Sequence, residues 1–584
     1  MAMRLSSSSF SNFAARMDAR WFTTMPLAFA FNSEPTVACN DPTIYIAGDS
    51  GKIYYDNGTK YFSIDDMFAL IGLDSENETD DEEEGDGENA VLEAAINILI
   101  PFILEGIASG KWDNYYAAVE KEIGEIFEPI KLDENGNIPE GTVSGIGPSE
   151  QNHMNYTMTH NITNGKGQYD EKAYNFYYDW RLDPMELADE LHKYIEAVKK
   201  ATGHDKVSLN CRCLGSNVAM AYIYKYGIGS ISNLEAGAAD ANFFNGLKGL
   251  GIDVSTSNGS DFLSGIISGD FGIDGNAIVR FIADTAYFED SFDVSPVITT
   301  TIDLLANTGV LDKLTDVARK ELYAEIEYGI ISALATATFL TMPCYWALVA
   351  PEDFDTALTY VFGEKGSEKR TKYAGLIEKI TYYNDTIKVN TEEILKVAQG
   401  AGTNMCIIAK YGVQMLPVLK DGSVVGDQYV SAGKASFGAT TSDVYGTLDE
   451  DYIAERVALG YEDYISPDKQ IDASTCLFPE YTWFIKGCSH GFYSTEERDL
   501  LLKTIDADRQ LTVDDFPYTR FIVYNYAENT FTAMTEENCN ISQWEPEDEI
   551  ENPQSKPEKI TSLIVSFMRW LTAIFDAIRG LFNK

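Results

Sequence analysis

Two cysteines stand one residue apart in "KVSLNCRCLGSNVAMAYIYKYG", which begins at Lys206. The stretch reads as a short strand, a tight turn and a helix. A nucleophile elbow has this form: the turn lifts a reactive side chain to the helix N-terminus, beside a backbone N–H that can hold an oxyanion. Over the five positions of the hydrolase pattern G-x-S-x-G, this chain has Cys211-Arg212-Cys213-Leu214-Gly215. Sulfur occupies the nucleophile position and the N–H of Leu214 lies next to it. Gly215 and Ser216 supply the small residues the crowded turn needs on its helix side. Cys211 is bulkier than the usual glycine. The positive end of the helix dipole and the neighbouring Arg212 both favour thiolate over thiol. The expected chemistry is attack by Cys213 on an acyl carbon. A disulfide between Cys211 and Cys213 would be strained, and a zinc site would need further ligands that no nearby histidine pair supplies. The bland alternative is a buried, inert pair of thiols.

A thiol nucleophile needs a base within hydrogen-bond reach, and the base needs an orienting acid. The chain has five histidines. His192 and His204 flank the strand of the elbow, and His153 and His160 lie in the polar run "QNHMNYTMTHN". His490 follows the strand-like "YTWFIKG", the place where a hydrolase sheet presents its base. A carboxylate should precede it in the order nucleophile, acid, histidine. "SPDKQIDAST" offers Asp468 and Asp472.

The segment from Tyr177 to Ser216 resembles the lecithin:cholesterol acyltransferase family of α/β-hydrolases. Tyr178-Asp179-Trp180-Arg181 is similar letter for letter to that family's motif before the helix and elbow. "PTIYIAGDSG" resembles its first core strand and oxyanion loop, and "ISNLEAGAADAN" at 231–242 the strand and loop after the elbow helix. "NMCIIAKYG" resembles its strand after the lid, and "SPDKQIDAS" its acid loop, an Asp followed three positions on by valine. The similarity runs in patches from about 41 to 495, and the 417–464 stretch matches poorly. The resemblance implies acyl transfer or ester hydrolysis on a lipid-like donor, with an acceptor or water, and no cofactor or metal. It implies Cys213, His490 and Asp468 as the triad, with Asp472 as alternative acid. It places the oxyanion donors at the N–H groups of Ser50 and Leu214, and Gly48, Asp49 and Trp180 beside the substrate. Family members use serine, so a cysteine here implies a thioester intermediate. A disarmed scaffold that binds lipid or a protein partner is the second reading. Asp179 and Arg181 are expected to pair structurally.

The elements that must position these groups are legible in outline. Leu187, Leu191, Ile195 and Val198 recur at helical spacing before the elbow strand. Helix, strand, turn and helix in this order imply βαβ units and a parallel sheet. The fold class expected is α/β: an α/β-hydrolase fold with a mostly parallel central sheet, helices on both faces, a mainly helical lid and a C-terminal amphipathic helix. The expected division is a leader over 1–40, core over 41–248 and 396–545, a lid over 249–395, and a linker with helix over 546–584. No clean strand is expected between 249 and 404. The charge run "DSENETDDEEEGDGE" at 74–88 has nothing to bury and reads as a disordered loop. It lacks the spacing of an EF-hand.

A formal charge of −47 over 584 residues argues against nucleic-acid binding. Eight scattered cysteines without a CxxC pair are not a disulfide framework. Arg4, Arg16 and Arg20 before "WFTTMPLAFAF" have the order of a weak secretory leader, although Pro26 interrupts its short apolar part. Over 559–584, Ser562, Ser566, Arg569, Asp576 and Asn583 form a narrow polar stripe on an otherwise apolar helix. That pattern suits a lipid interface or a second apolar surface. Together these features tilt the expected location toward extracellular or membrane-peripheral.

Overall fold

The computed structural model describes residues 39–48, 53–55, 60–62, 99, 101–139, 145–169, 173–270, 325, 328–329, 332–413, 415, 424–444, 446–525 and 530–539. The expected leader (apart from Cys39 and Asn40), the acidic run at 74–88, Asp49, Ser50 and the segment 559–584 lie outside these residues.

Eight strands form one sheet: β1 (Thr43–Ile46), β2 (Tyr174–Phe176), β3 (Val207–Arg212), β4 (Leu247–Asp253), β5 (Asn404–Tyr411), β6 (Thr482–Lys486), β7 (Phe521–Asn525) and β8 (Thr530–Ala533). Their spatial order is β8-β7-β6-β5-β4-β3-β1-β2. All neighbours are parallel except β7 and β8, which run antiparallel. Strands β3 and β5 are buried along their whole length, as befits parallel strands covered on two faces. Alternation along β5 sorts the two faces. Met405, Ile407 and Ala409 join one apolar layer, while Cys406 and Ile408 join another with Leu501 and Ile505 of a late helix.

Local signals account for the helices beside the elbow. Helix α1 (Pro184–Thr202) begins at Asp183, whose carboxylate accepts the Met185 N–H at 2.9 Å, and has proline at its first position. It ends at Gly203, where φ is 72°. Its face of Leu187, Leu191, Ile195 and Val198 is buried, as the spacing predicts. Helix α2 (Leu214–Tyr222) follows the elbow, and α3 (Thr495–Ile505) follows the His490 loop.

Two expectations are corrected here. Residues Ile231–Glu235 and Ala241–Asn245 are short helices, not the strand that follows α2. That strand is β4, inside the stretch expected to be free of strands until 404. Its sequence, "LKGLGID", hides it because glycine is a poor strand residue. The glycines have a packing reason. A Cβ at Gly249 would lie 2.2 Å from the Ile505 carbonyl oxygen, and one at Gly251 would lie 2.5 Å from Leu501. The sheet accepts α3 this closely only where side chains are missing. Gly249→Ala is therefore expected to cost about 2 kcal/mol of stability, read as a lower urea midpoint. An unchanged midpoint would mean that the helix does not press on the strand.

Between β4 and β5 most of the described residues are helical, including Asp261–Ser268, Phe354–Phe362, Ala374–Thr386 and Thr391–Gly400. Lys388, almost fully buried, ties this block to the sheet by donating to the carbonyls of Thr256 (3.2 Å) and Ala347 (2.8 Å).

Candidate active site at the carboxyl ends of the strands

Four loops meet at one edge of the sheet, where the carboxyl ends of β1, β3, β5 and β6 open. β1 has β2 on one side and β3 on the other, and crevices at such points are where open parallel sheets bind ligands.

Cys213 makes the turn from β3 into α2 with φ 48° and ψ −125°. Positive φ is rare for a residue with a Cβ and costs of order 1–3 kcal/mol. The turn is held from both sides. The Cys213 N–H donates to the Asp253 carbonyl at 3.1 Å, and the Cys213 carbonyl accepts the Ser216 N–H at 2.9 Å and hydroxyl at 2.7 Å. Gly215 is required by close approach: a Cβ there would lie 2.3 Å from the Ile46 carbonyl oxygen and 2.6 Å from that of Ala47. Cys213 is partly exposed, whereas Cys211 is fully buried in β3 and burial pushes its thiol far up. Cys211 is thus a core residue, and all eight cysteines are free. Among the described residues no cluster of three or more potential metal ligands occurs.

His490 lies in the loop between β6 and α3. Its Nδ1 is 2.9 Å from Asp427 Oδ2, its backbone N–H donates to the Asp427 carbonyl at 2.8 Å, and its ring also hydrogen-bonds Cys213. Burial works against the charged ring. The Asp427 carboxylate and the Cys213 sulfur outweigh it and push the imidazole up to about 10. At neutral pH the ring is therefore an imidazolium. The Tyr429 ring tilts against it at 5.2 Å. The other four histidines are engaged elsewhere: His153 with Tyr177, His160 with Tyr156, His192 with Tyr226, and His204 with Tyr169.

The acid beside His490 is Asp427, not Asp468 or Asp472. Asp427 is fully buried, and its Oδ1 accepts the N–H groups of Tyr429 (3.1 Å) and Val430 (2.9 Å) in a tight turn after β5. Asp468 instead accepts Tyr411 OH at 3.0 Å and Lys486 Nζ at 2.8 Å. Asp472 accepts Tyr452 OH at 2.8 Å and pairs with Arg456 Nε at 2.8 Å. Asp468 lies in a turn and Asp472 in the short strand that follows it, and each fastens that segment to its neighbours. A signal for Asp427 was present: Val430 stands three positions after it, the spacing that the resemblance calls for and that Asp468 meets only with isoleucine. Gln428, between the acid and Tyr429, has φ 93°, is fully buried, and its amide has no hydrogen-bond partner among the described residues.

Leu214, the first residue of α2, has no intrahelical acceptor for its N–H. That makes the Leu214 N–H a candidate donor beside Cys213. Ser50 and Asp49 lie outside the described residues. Gly48 is buried, and Tyr178 pins its loop by donating to the carbonyls of Ala47 (2.7 Å) and Gly48 (3.0 Å). Trp180 is buried, its ring edge-on to Tyr345 at 5.6 Å, within the apolar core.

Asp179 and Arg181 pair at 2.6 Å and are both buried. Arg181 also donates to the Ile130 carbonyl at 2.8 Å, and Asp179 accepts the Gly145 N–H at 3.0 Å. They lock the segment before α1 to its surroundings. Arg181→Met is expected to cost roughly 3–5 kcal/mol by stranding a buried carboxylate. Thermal unfolding would measure the loss, and Cys213 should stay reactive in the molecules that remain folded.

Arg212 does not aid the thiolate as a bare neighbouring cation. Its guanidinium is taken up by Asp253 and by the carbonyls of His490 and Phe492. Compared with protein-family models, with curated proteins and with solved structures, the chain matches none.

Proposed function

We propose that this protein is an acyl-transfer enzyme with an α/β-hydrolase architecture and a cysteine nucleophile. One observation carries the reading: Cys213, His490 and Asp427 form a hydrogen-bonded line at the carboxyl ends of parallel strands, with the sulfur on a strained turn at a helix N-terminus. These are the relations of a nucleophile, its base and an orienting acid.

In the proposed reaction the Cys213 thiolate attacks an acyl carbonyl. The oxyanion rests on the Leu214 N–H and on a second donor from the loop after β1. One such donor contributes about 3–4 kcal/mol in enzymes where it has been removed. The carbonyl re-forms as the bond to the leaving oxygen breaks, and His490 gives that oxygen its proton. A water or an acceptor hydroxyl then loses its proton to His490 and attacks the thioester, releasing Cys213 as thiolate. Asp427 keeps the imidazole oriented and favours its charged form throughout. A lipid-like donor is the proposed substrate class. It is supported by the likeness of Tyr178–Arg181 and the elbow to the lecithin:cholesterol acyltransferase family. Apolar side chains such as Phe339, Leu340, Met342 and Trp346 in the helical block after β4 also support it, and that block is the proposed lid.

A p-nitrophenyl acyl ester, quenched in acid and digested, tests the reading. The expected result is an acyl group on the peptide bearing Cys213, released by neutral hydroxylamine as a thioester is. Absence of that adduct across a range of chain lengths, with fully folded protein, would refute the proposed function. If Cys213→Ser turned over esters that the natural protein leaves intact, the disarmed binding scaffold would be the better reading.

A further inference from the structure

Close to the Cys213–His490–Asp427 line lies a second group of charges that acyl transfer does not use. Arg212, Asp253, Lys410 and Glu497 have side chains at most 1% exposed. They come from the ends of β3, β4 and β5 and from the first turn of α3. Arg212 pairs with Asp253. Lys410 Nζ lies 2.7 Å from Glu497 Oε1 and 3.6 Å from Asp253 Oδ1, and Glu497 Oε1 lies 3.9 Å from Arg212 Nη1. Removing such charges from water costs several kcal/mol per ion, and an apolar set of similar volume commonly serves stability as well. Stability alone is therefore a poor reason for the group.

The remaining donors of both cations point to another. Arg212 donates to the carbonyls of His490 and Phe492, the latter at 2.8 Å, and Lys410 donates to the Phe492 carbonyl as well. The Arg212 guanidinium also lies 4.8 Å from the ring centre of Tyr493. Residues 490–493 are thus gripped from β3 and β5. Asp253 closes a circuit. Its backbone carbonyl takes the Cys213 N–H, its carboxylate holds Arg212, Arg212 holds the His490 carbonyl, and the His490 ring meets Cys213. Nucleophile and base are fastened to the same residue from opposite directions.

We propose that Arg212, Asp253, Lys410 and Glu497 are positioning residues that set the His490 imidazole against the Cys213 sulfur. The proposal rests on the reading of Cys213 and His490 as the reacting pair. The charges in the group are tuned by one another. Burial, then the adjacent Asp253, pushes the Glu497 carboxyl up to about 8. Burial also raises Asp253, but Arg212 and Lys410 override it and hold that carboxyl below the usual range, with help from His490. Tyr45 and Tyr493 face Arg212, Cys406 and Tyr524 feel Glu497, and the charged His490 ring faces Asp253.

Two variants of the full chain test this, with thermal unfolding as a control for folding. Arg212→Lys keeps a positive charge for Asp253 but loses the fork that reaches two carbonyls. It is expected to slow reaction of Cys213 with iodoacetamide at pH 6 by tenfold or more, approaching His490→Ala. Glu497→Gln keeps size and removes the negative charge that Glu497 carries above about pH 8, the range in which His490 titrates. In protein labelled with ¹⁵N-histidine, it is expected to move the His490 titration downward by roughly half a pH unit. A folded Arg212→Lys with natural reactivity overturns the proposal. If Arg212→Lys does not fold, Glu497→Gln decides: a shifted His490 titration upholds the positioning role, and an unmoved one overturns it. Should His490→Ala itself react like the natural protein, the reading of the reacting pair fails first. If His490→Ala is slow while both cluster variants are unchanged, only the positioning role fails.

Discussion

Asp427→Asn is expected to lower the rate of Cys213 acylation by roughly 10³- to 10⁴-fold, the scale seen when a triad acid becomes an amide. The carboxylate is fully buried, lies 2.9 Å from His490 Nδ1, and is held by the Tyr429 and Val430 N–H groups. An asparagine fits the same space. It can turn its NH₂ group toward the ring and favour the wrong tautomer. It also removes the charge that does most to raise His490 against burial. The sign follows: without Asp427 the ring loses its proton at lower pH, so proton delivery to the leaving oxygen fades earlier as pH rises. The pH profile of acylation should therefore lose its alkaline side first. Asp468→Asn and Asp472→Asn are the controls. Their carboxylates bind Lys486 and Tyr411, and Arg456 and Tyr452, so these variants should lose stability while acylation stays within a few-fold. Rates from a chromogenic ester in the three variants would decide among the acids, and a large loss in Asp468→Asn alone would overturn the assignment.

His490→Ala carries the second large effect. The His490 ring meets Cys213 and keeps its proton up to about pH 10, and a neighbouring imidazolium favours thiolate over thiol. A free thiol titrates near 8.5, so at pH 6 well under one part in a hundred is thiolate. Iodoacetamide alkylation of Cys213 at pH 6 is expected to fall by about 100-fold in the variant. Above pH 10 the two proteins should converge, because an unassisted thiol is then ionised too and the ring loses its own proton. Equal rates at pH 6 would show that the ring does not support the sulfur. Mass spectrometry of the Cys213 peptide separates this signal from the seven other cysteines, which are all buried.

The sequence by itself determined the features whose causes are local. Helix α1 was legible because Asp183 caps it, Pro184 begins it, Gly203 ends it and its apolar residues recur at helical spacing. The elbow was legible because a small residue must follow the nucleophile, and the packing of Gly215 against the Ile46 and Ala47 carbonyls gives the reason. His490 was legible because it follows an apolar strand and the other histidines lie in unlike settings.

The tertiary structure decided what depends on partners far apart in the chain. Strand β4 was hidden by Gly249 and Gly251, whose reason is a helix more than 240 residues away. Asp427 could not be chosen over Asp468 and Asp472 by order alone, since all three lie between Cys213 and His490. Arg212 looked like a cation for the Cys213 sulfur, yet its charge goes to Asp253 and to the loop bearing His490. In each case the residue type was plain in the sequence. What it does follows from which hydrogen-bond donor, carbonyl or helix the folded chain sets within about 3 Å of it.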